Sequence, residues 1–183
     1  EFMLTPEHEM GRGEVRGFTG TEVAPLAVEW EEGERFPHEM VPKLAAAGML
    51  GIPFPREYGG QGADNLTYAM CVEELSRVCA TTGVVVSAHT SLGAAPIDEF
   101  GTEEQKQKYL TPLARGEKLG AFGLTEPGAG TDAAGQQTKA EPHGGHYGRH
   151  GSKNLNTDAG HANSCMLMGI TDPDAGSGGM RAL

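Results

Sequence analysis

The sequence predicts an α+β chain, with an all-helical N-terminal domain over residues 3–118 followed by the start of a β-sheet or β-barrel domain over residues 119–183. Three observations predict it. Tyr68, Cys71, Val72, Leu75, Val78 and Cys79 recur at helical spacing with Glu73, Glu74 and Arg77 opposite them. Thr102-Glu103-Glu104-Gln105 has the form of a capping box that opens a helix. From Leu119 onward the chain breaks into short, glycine-punctuated segments that read as β-structure. The boundary falls near Gly116 to Gly120, and 183 residues are enough to bury a real core.

Taken in order, the first helix spans Thr5 to Ala27 but carries Gly11, Gly13, Gly17 and Gly20. Each costs about 0.8–1 kcal/mol relative to Ala, enough together to melt an isolated helix. Trp30, among Glu29, Glu31 and Glu32, reads as helix-end packing. Pro37 suits a first helical turn, with Met40, Val41 and Leu44 on one face, although Pro42 sits awkwardly inside it. The amphipathic helix around Cys71 is sufficiently explained as core-facing. If Cys71 and Cys79 share it, they stand about 12 Å apart along its axis, beyond disulfide reach, and are packed thiols. Thr82 to Phe100, with Val84, Val85, Ala88, Leu92 and Ala95, reads as a buried helix ending near Pro96. The capping box starts a further helix running until Pro112.

Leu119, Phe122 and Leu124 alternate among small residues, which suits a short strand stopped by Pro127. The turn that follows, Leu124-Thr125-Glu126-Pro127-Gly128-Ala129-Gly130-Thr131-Asp132, concentrates glycines, hydroxyls and carboxylates. Glycine lets a ligand approach the backbone, so several amides can point at one acceptor. An ordinary polar strand-to-strand turn uses the same residues, and composition does not separate the two. Gly128-x-Gly130-x-x-Ala133 also fits the dinucleotide fingerprint. That motif must open an apolar helix, and Ala134-Gly135-Gln136-Gln137-Thr138-Lys139 is too polar to be one. His143, His146 and His150 have spacing compatible with zinc, but among Gly144, Gly145 and Gly148 they read as a solvated hairpin.

A net charge of −11 and a pI near 5.0 exclude a nucleic-acid surface, which needs a basic face. No run of about 18 apolar residues and no basic-then-apolar N-terminus occur, so neither a membrane span nor a signal peptide is expected. The expected location is the cytoplasm or a mitochondrial matrix. Glu1-Phe2 before Met3 reads as a cloning remnant.

Ala121-Phe122-Gly123-Leu124-Thr125-Glu126-Pro127-Gly128-Ala129-Gly130-Thr131-Asp132 resembles the signature of the acyl-CoA dehydrogenase family. Upstream, Leu50-Gly51-Ile52-Pro53 with Glu57-Tyr58-Gly59-Gly60-Gln61-Gly62, Glu73-Glu74-Leu75-Ser76-Arg77, and the stretch from Phe100 to Leu110 are similar to that family in the same order. The likeness covers roughly residues 22 to 140, and Gly130 to Thr138 is most similar to the short-chain, butyryl-CoA type.

The resemblance implies FAD as cofactor, an acyl-CoA substrate, electron-transferring flavoprotein as partner and a homotetramer. It implies that Phe122, Leu124 and Thr125 line the isoalloxazine ring and that Gly130 and Thr131 approach the flavin phosphates and the acyl-CoA. Thr131 stands where Ser is common, with the hydroxyl kept. Glu126 and Asp132 are implied to be turn and capping carboxylates. The implied reaction is α,β-dehydrogenation of a thioester. Acyl-CoA oxidase, which gives its electrons to oxygen, and a non-catalytic binding remnant are the alternatives. The family draws its catalytic carboxylate from a C-terminal helical domain, and this sequence ends at Leu183. No catalytic residue is therefore expected in this chain, which would help to hold FAD but not by itself turn over substrate.

The next flavin-contacting segment matches at Gly151, Lys153 and Thr157, but Leu155 stands where the family carries an aromatic residue. Leu155 and Thr157 are the implied contacts. Asn154 and Asn156 fall on apolar strand positions, where an unpaired buried amide costs roughly 1–3 kcal/mol.

Overall fold

Thr5 caps α1 (Pro6–Phe18): its hydroxyl accepts from the His8 amide, and the His8 ring accepts from the Thr5 amide. The computed structural model describes residues 3–183, which divide into two units that meet between Leu119 and Gly120. Glu1 and Phe2, read above as a cloning remnant, lie outside the described residues.

Gly11, Gly13 and Gly17 sit inside α1 without breaking it, although they would weaken the same helix in isolation. Tertiary contacts offset the glycine penalty. Val15 is buried and Phe18 packs with Cys71 and Leu75 of α4 (Asn65–Ser76) in the principal core. Arg16 donates twice to Glu74, at 3.1 and 2.7 Å. Glu74 thus corrects the amphipathic reading of this helix. It lies under α1, 4% exposed, while Val78 on the supposed core face is 42% exposed. Arg16 and Arg77 hold the Glu74 carboxyl below the usual carboxylate range by hydrogen bonds that outweigh its burial.

Three prolines share one pattern. Helix α1 passes through a wide π-turn, Thr19–Val23, into α2 (Ala24–Glu32). The same occurs at Ala88–Ala94, between α5 (Ala80–Ser87) and α6 (Ala95–Phe100). It recurs at Lys106–Leu110, between α7 (Glu103–Gln105) and α8 (Thr111–Ala114). Each π-turn ends two residues before a proline: Pro25, Pro96 and Pro112. The intervening amide reaches back five residues, Ala24 to Thr19, Ala95 to Thr90 and Thr111 to Lys106. Proline lacks an amide and its ring collides with the carbonyl four residues back. Widening the turn removes both conflicts. The helices expected to stop near Pro96 and at Pro112 therefore continue to Phe100 and Ala114, and the one expected from Thr82 begins at Ala80.

A further shift occurs at α3 (Met40–Ala46), which begins three residues after Pro37. Pro42 falls in its first turn, where no intrahelical acceptor is lost. Met40 and Leu44 reach the core with Trp30, whose Nε1 donates to Glu39 at 2.7 Å. Cys71 and Cys79 are free and buried on different elements, Cys79 capping α5, and burial pushes the Cys71 thiol up to about 12. His89, fully buried in the second π-turn, donates from Nε2 to the Leu113 carbonyl at 3.2 Å. Burial lowers its imidazole to about 4, against the opposing pull of the Leu113 and Leu50 carbonyls.

In the second unit β1 (Gly120–Gly123) pairs in parallel with β4 (Ser164–Ile170), from Gly120 opposite Ser164 to Gly123 opposite Leu167. Strands β2 (Lys139–His143) and β3 (His146–His150) form a hairpin, and β5 (Met180–Ala182) runs antiparallel to β4. The order is β1-β4-β2-β3. Gly144 and Gly145 turn the hairpin with φ of 49° and 92°, the left-handed pair that matches strand twist. Its register sets His143 against His146 but carries His150 to the far end, opposite Lys139. Among the described residues no group of three or more His, Cys, Asp or Glu is placed to hold a metal, and no helix is long and apolar enough to cross a membrane.

Candidate functional site

Past β1 the chain turns sharply, with Glu126 and Ala129 exchanging backbone hydrogen bonds of 2.9 and 3.2 Å around Pro127-Gly128. The Glu126 carboxylate points inward. It accepts from the Gln137 amide at 2.6 Å, the Thr138 amide at 2.9 Å and Lys153 Nζ at 2.8 Å. Burial alone would raise its pKa, but the Lys153 ammonium and these amides outweigh it and hold the carboxyl at about 2. Asp132 caps the single turn Ala133–Gly135 by accepting from the Gly135 amide at 3.2 Å. Both carboxylates are thereby committed to structure. No helix beyond that one turn follows Gly128 and Gly130, so the dinucleotide fingerprint lacks the element that would make it work.

The other side of the turn is open. A Cβ at Gly128 or Gly130 would meet nothing within 4 Å, and Thr131 is exposed. Among the described residues no acceptor takes the amides of Gly128, Gly130 or Thr131. Three donors and a hydroxyl on adjacent residues suit an acceptor-rich group such as a phosphate. A cleft of about 410 Å³ runs beside the turn, lined by Glu126, Pro127, Gly128, Gly135, Gln137, Thr138, Gly151 and Ser152. That volume suits a small molecule, but the only charged group lining it is the already saturated Glu126.

Residues 151–156 form no strand, which corrects the expectation that Asn154 and Asn156 occupy buried strand positions. Asn is a poor strand former; Asn154 is exposed and Asn156 half-buried, so the expected amide penalty is avoided. Lys153 Nζ donates to the Leu124 carbonyl at 2.9 Å, to Glu126 at 2.8 Å and to Gln136 Oε1 at 2.7 Å. The Asn154 amide donates to the Thr125 carbonyl at 2.8 Å. These bonds bring Leu124 and Thr125 together with the segment that carries Leu155 and Thr157. Leu155 has φ of 55° and is 90% exposed, and Thr157 is half-buried at the start of the following turn. Phe122 is half-buried on β1 opposite Met166, whereas Gly130 and Thr131 stand on the open side of the turn. The roles of Lys153 and Gln136 were missed. No local signal marks them, because Lys153 stands 27 residues beyond Glu126 and Lys139 and Arg149 offer the same charge in between.

Comparison with known proteins identifies the chain. Residues 5–117 match the acyl-CoA dehydrogenase N-terminal domain. The short-chain-specific acyl-CoA dehydrogenase of Clostridium acetobutylicum is 56% identical over 182 residues, which are all of this chain and 48% of that protein. The butyryl-CoA dehydrogenase structure from Megasphaera elsdenii superposes with a TM-score of 0.94 at 40% identity, over 100% of this chain and 49% of that one. An acyl-CoA dehydrogenase from Bacillus anthracis in complex with FAD does so at 0.85 and 36% identity, over 91% of this chain and 29% of that one. The chain spans about half the length of the relatives it matches. It belongs to the acyl-CoA dehydrogenase family.

Proposed function

We propose that this chain forms the flavin-facing part of an FAD-dependent acyl-CoA dehydrogenase that converts a short-chain acyl-CoA to the trans-2-enoyl-CoA. In this reading electrons pass to an electron-transferring flavoprotein, and the working protein is a tetramer. The observation that carries the reading is the junction of two segments. Asn154 and Lys153 tie Leu155 and Thr157 to Leu124 and Thr125, beside the open amides of Gly128, Gly130 and Thr131.

That donor set fits the cofactor. Gly130 and Thr131 would hold a phosphate, and Thr125 would donate to the edge of the ring, with Phe122, Leu124, Leu155 and Thr157 around it. FAD bound there supplies the hydride acceptor. Donors fixed in advance at the edge where negative charge develops favour the reduced state. Thr131 would also meet the acyl-CoA. Glu126 is an unsuitable base, because a carboxylate held at about 2 with three donors gains little by taking a proton. Asp132 is occupied as a cap. Neither carboxylate of this turn is therefore the proton-abstracting base.

Full-length protein incubated with butyryl-CoA and an electron-transferring flavoprotein tests the reading. Crotonyl-CoA formation coupled to reduction of that partner is expected. Hydrogen peroxide in its place would make the protein an oxidase, and absence of both products would overturn the reading.

A further inference from the structure

We propose that Lys153, held by Glu126, is a positioning residue that sets the two flavin-facing segments at a fixed separation; the inference rests on the flavoprotein reading above. The ammonium and the carboxylate are both sequestered, with side chains 5% and 7% exposed. An ammonium has three protons, and Lys153 Nζ spends them on three acceptors drawn from three places: the Leu124 carbonyl, Glu126 and Gln136. Glu126 is equally committed, to Lys153 and to the Gln137 and Thr138 amides. A saturated buried pair of this kind has one arrangement, and losing either partner leaves the other charge uncompensated.

Leu155 shows why such an anchor is needed here. Its segment has no ladder of strand hydrogen bonds to place it. Apart from the Asn154 amide on Thr125, the bonds that reach from it to the turn all come from Lys153 Nζ. Leu155 nevertheless sits in the left-handed region, φ 55°, which a bulky L-residue rarely adopts unless its flanks impose it. Lys153 and Asn154 fix the preceding side. The following side is closed by Asn156, whose carbonyl accepts from Ala159 at 3.1 Å. The exposed Leu155 side chain is thus presented at a set distance from Thr125. Neutralising either end of the pair frees the segment to relax, and a ring contacted from both segments loses one of its two faces of contact.

The test uses the full-length protein with Lys153→Met and Glu126→Gln. It reads the FAD dissociation constant, the visible spectrum of the flavin at saturating FAD, and far-ultraviolet circular dichroism. Both variants are expected to weaken FAD binding at least tenfold and to shift the bound-flavin spectrum while keeping wild-type secondary structure. A shifted spectrum is the mark of positioning, because a residue that only stabilises the fold lowers the melting temperature without changing the environment of flavin that is bound. If Lys153→Met does not fold, Glu126→Gln carries the test, since it retains an amide oxygen for Lys153. Dissociation constants within twofold of wild type, or an unshifted spectrum, overturn the proposal. A wild-type protein that binds no FAD overturns the flavoprotein reading, and this inference with it.

Discussion

Acid should weaken the helical unit through His89. The imidazole is fully buried and lowered to about 4, burial being the dominant cause, whereas the unfolded chain titrates near 6.5. Above pH 6.5 both states hold the neutral ring, and His89 adds no pH dependence. As the pH falls from 6.5 towards 4 the unfolded state takes up a proton that the folded state refuses, so stability declines across that window and levels off below it. The gap is about 2.5 pH units, and at about 1.36 kcal/mol per unit the full loss is about 3 kcal/mol. At pH 4.5 most of it should already be gone. The assay is urea unfolding of wild type and His89→Gln at pH 7.5, 5.5 and 4.5. Gln keeps a nitrogen where Nε2 stands and can still donate to Leu113, but it does not titrate. Other acid-sensitive groups cancel in the difference between the two proteins. That difference should move by about 2–3 kcal/mol in favour of the variant between pH 7.5 and 4.5. A difference that does not change with pH would refute the assignment of a buried, neutral His89.

The other predictions concern stability. Gly13→Ala and Gly17→Ala, both exposed, helical and open to a Cβ, should each stabilise α1 by about 0.8–1 kcal/mol, read as a higher melting temperature. Gly51→Ala should do the opposite, by about 1–3 kcal/mol, because its Cβ would run into the Ala114 carbonyl. Glu74→Ala should cost about 1–3 kcal/mol in denaturant unfolding. The loss is limited because Arg16 and Arg77, 61% and 60% exposed, can turn to water. Glu126→Ala should cost more, about 3–5 kcal/mol, because Lys153 has no such escape; equal losses at the two glutamates would contradict the burial argument.

Local chemistry was legible and long-range chemistry was not. The Thr102 capping box, the helix around Cys71 and Leu75, and the strand ahead of Pro127 depend on neighbours within a few residues, and the structure contains each. Proline misled because its local rule is to end a helix, whereas π-turns ahead of Pro25, Pro96 and Pro112 let the chain continue. The persistence of α1 despite its glycines was not legible, because the contacts that hold it come from Cys71, Glu74 and Leu75, more than fifty residues away. At the site the turn from Leu124 to Asp132 was legible through its glycines and hydroxyls. The Lys153 anchor was not, because only folding brings that ammonium to Leu124, Glu126 and Gln136. Leu155 was read as a strand residue, and no local pattern signals its left-handed backbone.

In the function proposed above, the turn at Leu124–Asp132 and the segment at Lys153–Thr157 together face a flavin that oxidises a short-chain acyl-CoA. The most direct measurement is anaerobic addition of butyryl-CoA to the purified full-length protein while its visible flavin absorption is recorded. A flavin band that bleaches on addition of substrate is expected. A protein without flavin, or a band that butyryl-CoA leaves unchanged, would contradict it.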